Sequence, residues 1–419
     1  MKLTITPTKL QGTVTPPPSK SLAHRLLIAA ALSDGRSTIT NLGDSQDITA
    51  TRRCLSALGA GIECLEGNAV RVHGLGSSII QAGPVPILDC GESGSTLRFL
   101  IPLALLVNGK AALTGHGRLM ERPLKPYEDL FREKGIAWEI TDGILTVDGG
   151  RGYDRLALDP GEYRLPGNVS SQFFTGLLFA LPLLDGDSAL VPTTPLESRD
   201  YLELTRQAQA LAGVHSQWQG DALSIPGGQR YQPFAASVEA DWSQAAFWYA
   251  AAGTGSAVSI ADMAMDSRQG DRVILDYGRQ LMERDTDVTL DMSGCPDLLP
   301  PLAAWAALRP GTTVLANAGR LRMKESDRLH SVTAVLSALG AHVREEPDHL
   351  VIQGQEVLPG GVEVDCWGDH RIAMMAAVAA TCCRETITLR GAECVAKSYP
   401  TFWENYRMLG GHVYEHPGE

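Results

Sequence analysis

A strongly apolar helix announced by a small or polar N-terminal signal recurs six times along the chain, and this repeat limits the possible folds more than any other feature. The helices begin near Ser21 (SLAHRLLIAAAL), Ser93 (SGSTLRFLIPLALL), Ser170 (SSQFFTGLLFALPLL), Asp241 (DWSQAAFWYAAAG), Asp297 (DLLPPLAAWAAL) and Asp369 (DHRIAMMAAVAA). Each is followed by a short β-branched strand: STITNL, AALTG, SALVP, SAVSIA, TTVLANA and TITLRG. Most units then carry a second, amphipathic helix ending near a glycine, as in CLSALGAGIE and VLSALGAHVRE. Starts roughly 55 to 80 residues apart fit a repeated supersecondary unit.

A helix without a polar face must be buried. Alternating helix and strand signals place the chain in the α/β or α+β class. Together they predict domains with helices packed inside, most simply three repeats per domain. The length of 419 residues suits two or three domains. The segment Pro226 to Pro233 is the expected crossing between the halves.

Charge and composition narrow the function. A net charge of −12 leaves no basic surplus to displace counterions, so neither nucleic acid nor an anionic membrane is an expected partner. A local basic pocket for a small anion stays compatible with it. The start, Met1 to Pro7, lacks the apolar stretch of a secretory signal, and apolar runs such as Phe99 to Val107 are too short to span a bilayer. A cytoplasmic protein is expected. The eight cysteines form no C-x-x-C pair or zinc spacing and read as small buried apolar residues. His412 and His416, spaced i, i+4, lie in a Gly- and Pro-flanked tail that is a poor metal site.

Cations gather where helices begin. A helix N-terminus carries about half a positive charge, so a nearby lysine or arginine costs a few tenths to one kcal/mol unless an anion answers it. Lys20 and Arg25 flank the first start, with Ser21 and Arg25 on one helical face. Gly91-Glu92-Ser93-Gly94-Ser95-Thr96-Leu97-Arg98 offers glycines, hydroxyls and backbone N–H groups to an anion. Arg122 follows in a basic loop; Ser170, Ser171 and Gln172 open the third helix; Ser198-Arg199-Asp200-Tyr201 comes downstream. The second half adds Lys324-Glu325-Ser326-Asp327-Arg328, then Asp369-His370-Arg371, then Lys397. Taken singly, each reads as an ordinary cap, linker or solvated turn. Together they predict a cleft between two domains that binds more than one strongly anionic group, with arginines suited to bidentate recognition of carboxylate and phosphate.

The stretches PPSKSLAHR, GESGSTLR, RLMERP, NVSSQF, MKESDRL, DHRIAM and CVAKSYP stand in the order and spacing of the 3-phosphoshikimate 1-carboxyvinyltransferase (EPSP synthase) family, which the chain resembles over essentially its whole length. The resemblance implies a two-domain inside-out α/β barrel, each domain built from three βαβαββ repeats. It implies one domain over 18–233 and a second made of 1–17 and 234–419, joined by two crossings. No cofactor and no metal are implied, and a monomer is expected. Shikimate 3-phosphate would lie against Lys20, Ser21, Arg25, Ser170, Ser171, Gln172, Ser198, Tyr201, Asp297 and Lys324. Phosphoenolpyruvate would meet Lys20, Gly94, Arg122, Gln172, Arg328, Arg371 and Lys397.

The implied reaction is addition then elimination through a tetrahedral ketal. The 5-hydroxyl attacks C2 of phosphoenolpyruvate, Asp297 or Lys324 takes its proton, Glu325 supplies the methylene proton, and Lys20 and Lys324 steady developing charge. Domain closure on the first substrate would complete the site. Two positions depart from the family pattern: Glu92 stands where asparagine is common, and Arg320 where asparagine or glutamate is usual. Gly94 would leave room for the inhibitor glyphosate, but Glu92 and Ser95 differ nearby, so sensitivity is not implied either way. The alternatives are the sister enzyme acting on UDP-N-acetylglucosamine and a non-catalytic anion-binding protein on the same scaffold. The sister usually carries Lys-Asn at Lys20-Ser21 and a cysteine in the loop Gly115 to Met120, where this chain has none.

Overall fold

The computed structural model describes residues 1–76, 86–150, 157–283 and 286–416. The chain divides into two compact units, Met1–Pro17 with Ala240–Glu419, and Pro18–Glu239. The second crossing thus falls between Glu239 and Ala240, beyond the proline-flanked stretch expected from sequence.

Each unit has its own apolar core, centred on three of the six repeat helices. In Pro18–Glu239 these are Lys20–Leu32, Gly94–Asn108 and Ser171–Ala180; in the other unit they are Trp242–Gly253, Leu299–Ala306 and His370–Ala380. Nearly every residue from Leu22 to Leu32, and from His370 to Ala380, is buried, as helices without a polar face require. Gly176 shows how closely they pack. A Cβ there would lie 2.5 Å from the Arg98 carbonyl oxygen on the neighbouring helix and 2.4 Å from the Tyr127 hydroxyl.

Five four-stranded sheets and one two-stranded sheet surround these helices among the described residues. Ile87–Asp89 pairs in parallel with Lys110–Thr114, and Ile144–Asp148 and Ala137–Thr141 continue the sheet antiparallel. The first, parallel pair encloses the buried helix, which gives the βαβαββ order. The N-terminal strand Lys2–Thr6 completes the last sheet between Ile387–Arg390 and His412–His416. In the fourth repeat Gln11–Val14 and Ala257–Ile260 form a two-stranded sheet among the described residues. His412 and His416 therefore sit on a strand, ~13 Å apart at the strand's rise and unable to share a metal. His416 instead bonds the Thr4 hydroxyl at 2.8 Å.

Of the cysteines, six are buried as expected; Cys394 is half-buried and Cys64 exposed, and all eight are free thiols. No helix is long and apolar enough to cross a membrane among the described residues.

The topology fixes where chemistry can gather. The buried helices Gly94–Asn108, Ser171–Ala180 and His370–Ala380 each follow the carboxyl end of a first strand, so their N-termini emerge beyond the strand ends. Ser19, Ser93, Ser170, Asp241 and Asp369 cap five of the six helices, each side-chain oxygen accepting a backbone N–H from the first turn. Asp297 is the exception. It lies in the 3-10 turn Pro296–Leu298, which makes no side-chain cap, and Pro300 and Pro301 open the helix that follows.

Candidate functional site

In the unit Pro18–Glu239, Lys20 opens its helix and donates to Asp47 Oδ2 at 2.8 Å. Arg25, one turn on, is 2% exposed and spends three of its five N–H donors on the carbonyls of Ser21 (2.6 Å) and Tyr201 (2.9 Å) and the Thr205 hydroxyl (2.8 Å). Burial lowers Arg25 to about 10, which leaves it charged at neutral pH. These bonds tie the first helix to Arg199–Leu211, whose N-cap Ser198 is buried and held at φ 55°. Tyr201 in its first turn places its ring 5.8 Å from the Arg25 guanidinium.

The starts of the second and third buried helices are joined directly. Arg98 donates to Gln172 Oε1 at 2.8 Å, and the Gln172 amide donates to the Ser95 hydroxyl at 3.0 Å. Ser170 Oγ accepts from the Gln172 backbone at 3.3 Å, and Ser171 is the first helical residue. Arg122, 8% exposed, caps the turn Leu119–Glu121 and reaches the same place. Gly94 is what makes room: a Cβ there would stand 2.7 Å from Arg122 Nη1 and 2.9 Å from Arg98 Nη1. Beneath this surface His24 Nδ1, Thr51, Thr96 and Ser93 form a buried hydroxyl chain across three helices. Burial, then the charges of Lys20 and Arg25, keep His24 neutral by pushing it well down.

The other unit carries its own cluster, centred on Arg328, which is 1% exposed. Its guanidinium meets three carboxylates: Asp369 Oδ2 at 2.9 Å, Asp297 Oδ1 at 2.8 Å and Glu325 Oε2 at 2.7 Å. Arg371 takes the second Asp297 oxygen at 2.9 Å and the Ser243 hydroxyl at 3.0 Å. Burial alone would raise Asp297, but Arg371, Lys324 and Arg328 outweigh it and hold the carboxyl well below the usual range. Lys324, at the end of the turn Gly319–Met323, is lowered to about 7. Burial is the main cause; Asp297 opposes it, and the charges of Arg328 and Arg320 add to it. Arg320 also donates to the Ser293 carbonyl. Lys397 is buried at the end of Ala392–Lys397, one residue before Ser398, whose hydroxyl accepts from Gln244 at 3.1 Å.

The sequence-derived residues therefore fall into two sets, one in each unit. Arg199 is drawn elsewhere, stacking 3.8 Å over the Trp218 ring. Sequence reasoning missed Asp47, Asp369 and Ser243. Asp47 and Asp369 read as ordinary first-turn and capping aspartates, and only the three-dimensional pairings with Lys20 and Arg328 distinguish them. Among the described residues no cluster of three or more His, Cys, Asp or Glu could hold a metal ion.

The profile of the family described as EPSP synthase (3-phosphoshikimate 1-carboxyvinyltransferase) matches residues 5–406. The chain is 44% identical to the 3-phosphoshikimate 1-carboxyvinyltransferase of Clostridium kluyveri, over 99% of this chain and 98% of that protein. It is also 44% identical to the Clostridium beijerinckii protein of the same name, over 98% and 97%. Among solved structures, EPSP synthase from Acinetobacter baumannii matches with a TM-score of 0.79 at 25% identity, covering 99% of this chain and 100% of that one.

Proposed function

The chain belongs to the EPSP synthase family, and from that premise we propose that it transfers the enolpyruvyl group of phosphoenolpyruvate to the 5-hydroxyl of shikimate 3-phosphate, releasing phosphate. The observation that carries the reading is that both clusters present buried cations beside hydroxyl and amide donors, the chemistry two phosphorylated substrates require. Shikimate 3-phosphate is assigned to Lys20, Ser21, Arg25, Ser170, Ser171, Gln172, Ser198 and Tyr201, with Asp297 and Lys324. Phosphoenolpyruvate is assigned to Lys20, Gly94, Arg122, Gln172, Arg328, Arg371 and Lys397.

For proton transfer, Lys324 is the better acceptor for the 5-hydroxyl proton. An amine lowered to about 7 is half neutral near physiological pH and a stronger base than a carboxylate, which Asp297 stays whether or not the guanidiniums hold it. Glu325, the next residue, relays the methylene proton: its carboxylate takes a proton from solvent and passes it to C3 of phosphoenolpyruvate. The cations of both clusters offset the negative charge that develops as the ketal forms and phosphate leaves. One chain carries every residue named, so a monomer suffices. Both substrates are charged phosphate esters that do not cross bilayers freely, which supports action in the cytoplasm.

Mass spectrometry of the product tests the assignment: the acceptor should gain the enolpyruvyl group, and an unchanged acceptor after long incubation with folded protein would refute it. The geometry at Gly94 gives a second test. Gly94→Ala forces the Arg122 and Arg98 guanidiniums aside and should raise KM for phosphoenolpyruvate by about tenfold or more. KM for shikimate 3-phosphate should change less. Steady-state kinetics with each substrate varied separates the two.

A further inference from the structure

We propose that Asp297 is a built-in occupant of the anion subsite formed by Arg328 and Arg371, displaced when phosphoenolpyruvate places its own anionic group there. This rests on the functional reading above and adds to it a step that precedes chemistry.

Three observations carry it. The first is occupancy. Asp297 bridges the two arginines, one oxygen on Arg328 at 2.8 Å and the other on Arg371 at 2.9 Å, as a substrate carboxylate or phosphate would. The second is charge. Arg328, Arg371 and Arg320, with a Lys324 that is only half charged near neutral pH, face Asp297, Glu325 and Asp369, so the positive charge of the cluster is already largely matched. A substrate with at least two negative charges entering beside all three carboxylates would leave buried anions uncompensated, which is costly. One carboxylate has to give way.

The third observation identifies which one. Asp369 is fully buried and locked: it caps His370–Ala380 through the Arg371 N–H at 3.0 Å and accepts from Ser326 and from Arg328 Nε. Asp297 sits on a proline-flanked turn without a side-chain cap, keeps 21% of its side chain exposed, and bridges both arginines where Glu325 meets Arg328 Nη2, so a rotation about its side-chain bonds clears the shared anion position. The arginines stay fixed throughout, Arg328 by Asp369 and Arg371 by Ser243. Phosphoenolpyruvate binding thereby exchanges one buried ion pair for another, and Asp297 leaves its inactive pairing only when the second substrate is present.

Phosphoenolpyruvate itself, titrated calorimetrically without acceptor so that no turnover occurs, is the probe. Asp297→Asn removes the competing charge and should tighten phosphoenolpyruvate binding by about tenfold, even as kcat falls. Arg371→Ala should abolish binding, and the double variant Asp297→Asn with Arg371→Ala should bind no better than Arg371→Ala alone. Asp297→Ser, whose smaller side chain lets water solvate both guanidiniums, serves if the amide variant fails to fold. If Arg371→Ala loses binding while the Asp297 variants bind phosphoenolpyruvate no more tightly than the parent, the displacement is wrong and the site assignment stands. If Arg371→Ala binds normally, the assignment of phosphoenolpyruvate to these arginines is itself wrong, and the displacement falls with it.

Discussion

Replacing Arg328 with methionine should cost about 3–5 kcal/mol of stability and abolish turnover. The side chain is 1% exposed and is the shared partner of Asp297, Glu325 and Asp369. Removing it leaves three carboxylates crowded in a buried place with Arg371, Arg320 and a half-charged Lys324 to answer them. A half-buried ion-pair network nearer the surface supplies the control: Arg322→Met, whose guanidinium pairs with Asp327 and Glu345 and is 29% exposed, should cost ~1 kcal/mol, well below the Arg328 effect.

The pH dependence follows with a definite sign. Asp297 is held below its unfolded value of 3.8, so its pairing contributes stability that is complete above that value and drains as pH falls toward the lowered one. Without Arg328 the folded value rises toward the unfolded one, so this contribution shrinks and stability should fall less steeply below pH 3.8 than in the parent, from a lower plateau. Denaturant midpoints measured from about pH 2 to pH 8 would show both effects, since the Asp297 contribution drains only below its unfolded value of 3.8. A midpoint unchanged by Arg328→Met would mean that the buried cluster is not formed in solution.

The second large effect belongs to Lys324. As the proposed acceptor it must be neutral, so kcat should climb as pH rises through about 7. Lys324→Ala should lower kcat by about 10²–10⁴-fold and flatten that limb. Lys324→Arg keeps the positive charge but cannot give up its proton near neutrality, so charge rescue without base rescue is expected. KM for phosphoenolpyruvate should then recover more than kcat. An arginine variant that turns over normally and keeps the limb would return the base to Asp297.

Much of this architecture could be read from the chain because burial writes itself into local pattern. Segments such as HRLLIAAAL and RIAMMAAVAA have no polar face to offer water, and they became the interior helices. The strands STITNL, AALTG and TITLRG follow in order for the same reason, alternating buried and exposed residues. The site was legible as cations at helix starts, since Lys20, Arg98 and Arg371 there demand an explanation that Ser19 or Asp369 does not.

What stayed hidden depends on pairings between distant residues. The Lys20 partner Asp47 lies 27 residues away on another helix, and the Asp297 partner Arg371 lies 74 away. Both aspartates look locally like common helix-start residues. Arg199 shows the converse. Its motif suggested an anion contact, but the Trp218 ring within the same unit offers a closer partner. The abbreviated fourth repeat was also unreadable, because SAVSIA predicts a strand without revealing that it pairs with Gln11–Val14 in a two-stranded sheet.

Phosphate release from the purified protein tests the central claim most directly, with phosphoenolpyruvate as donor and either shikimate 3-phosphate or UDP-N-acetylglucosamine as acceptor. Release is expected with shikimate 3-phosphate only, and should be lost in Lys20→Ala. Release with the nucleotide sugar alone, or none with either acceptor from folded protein, would contradict that claim.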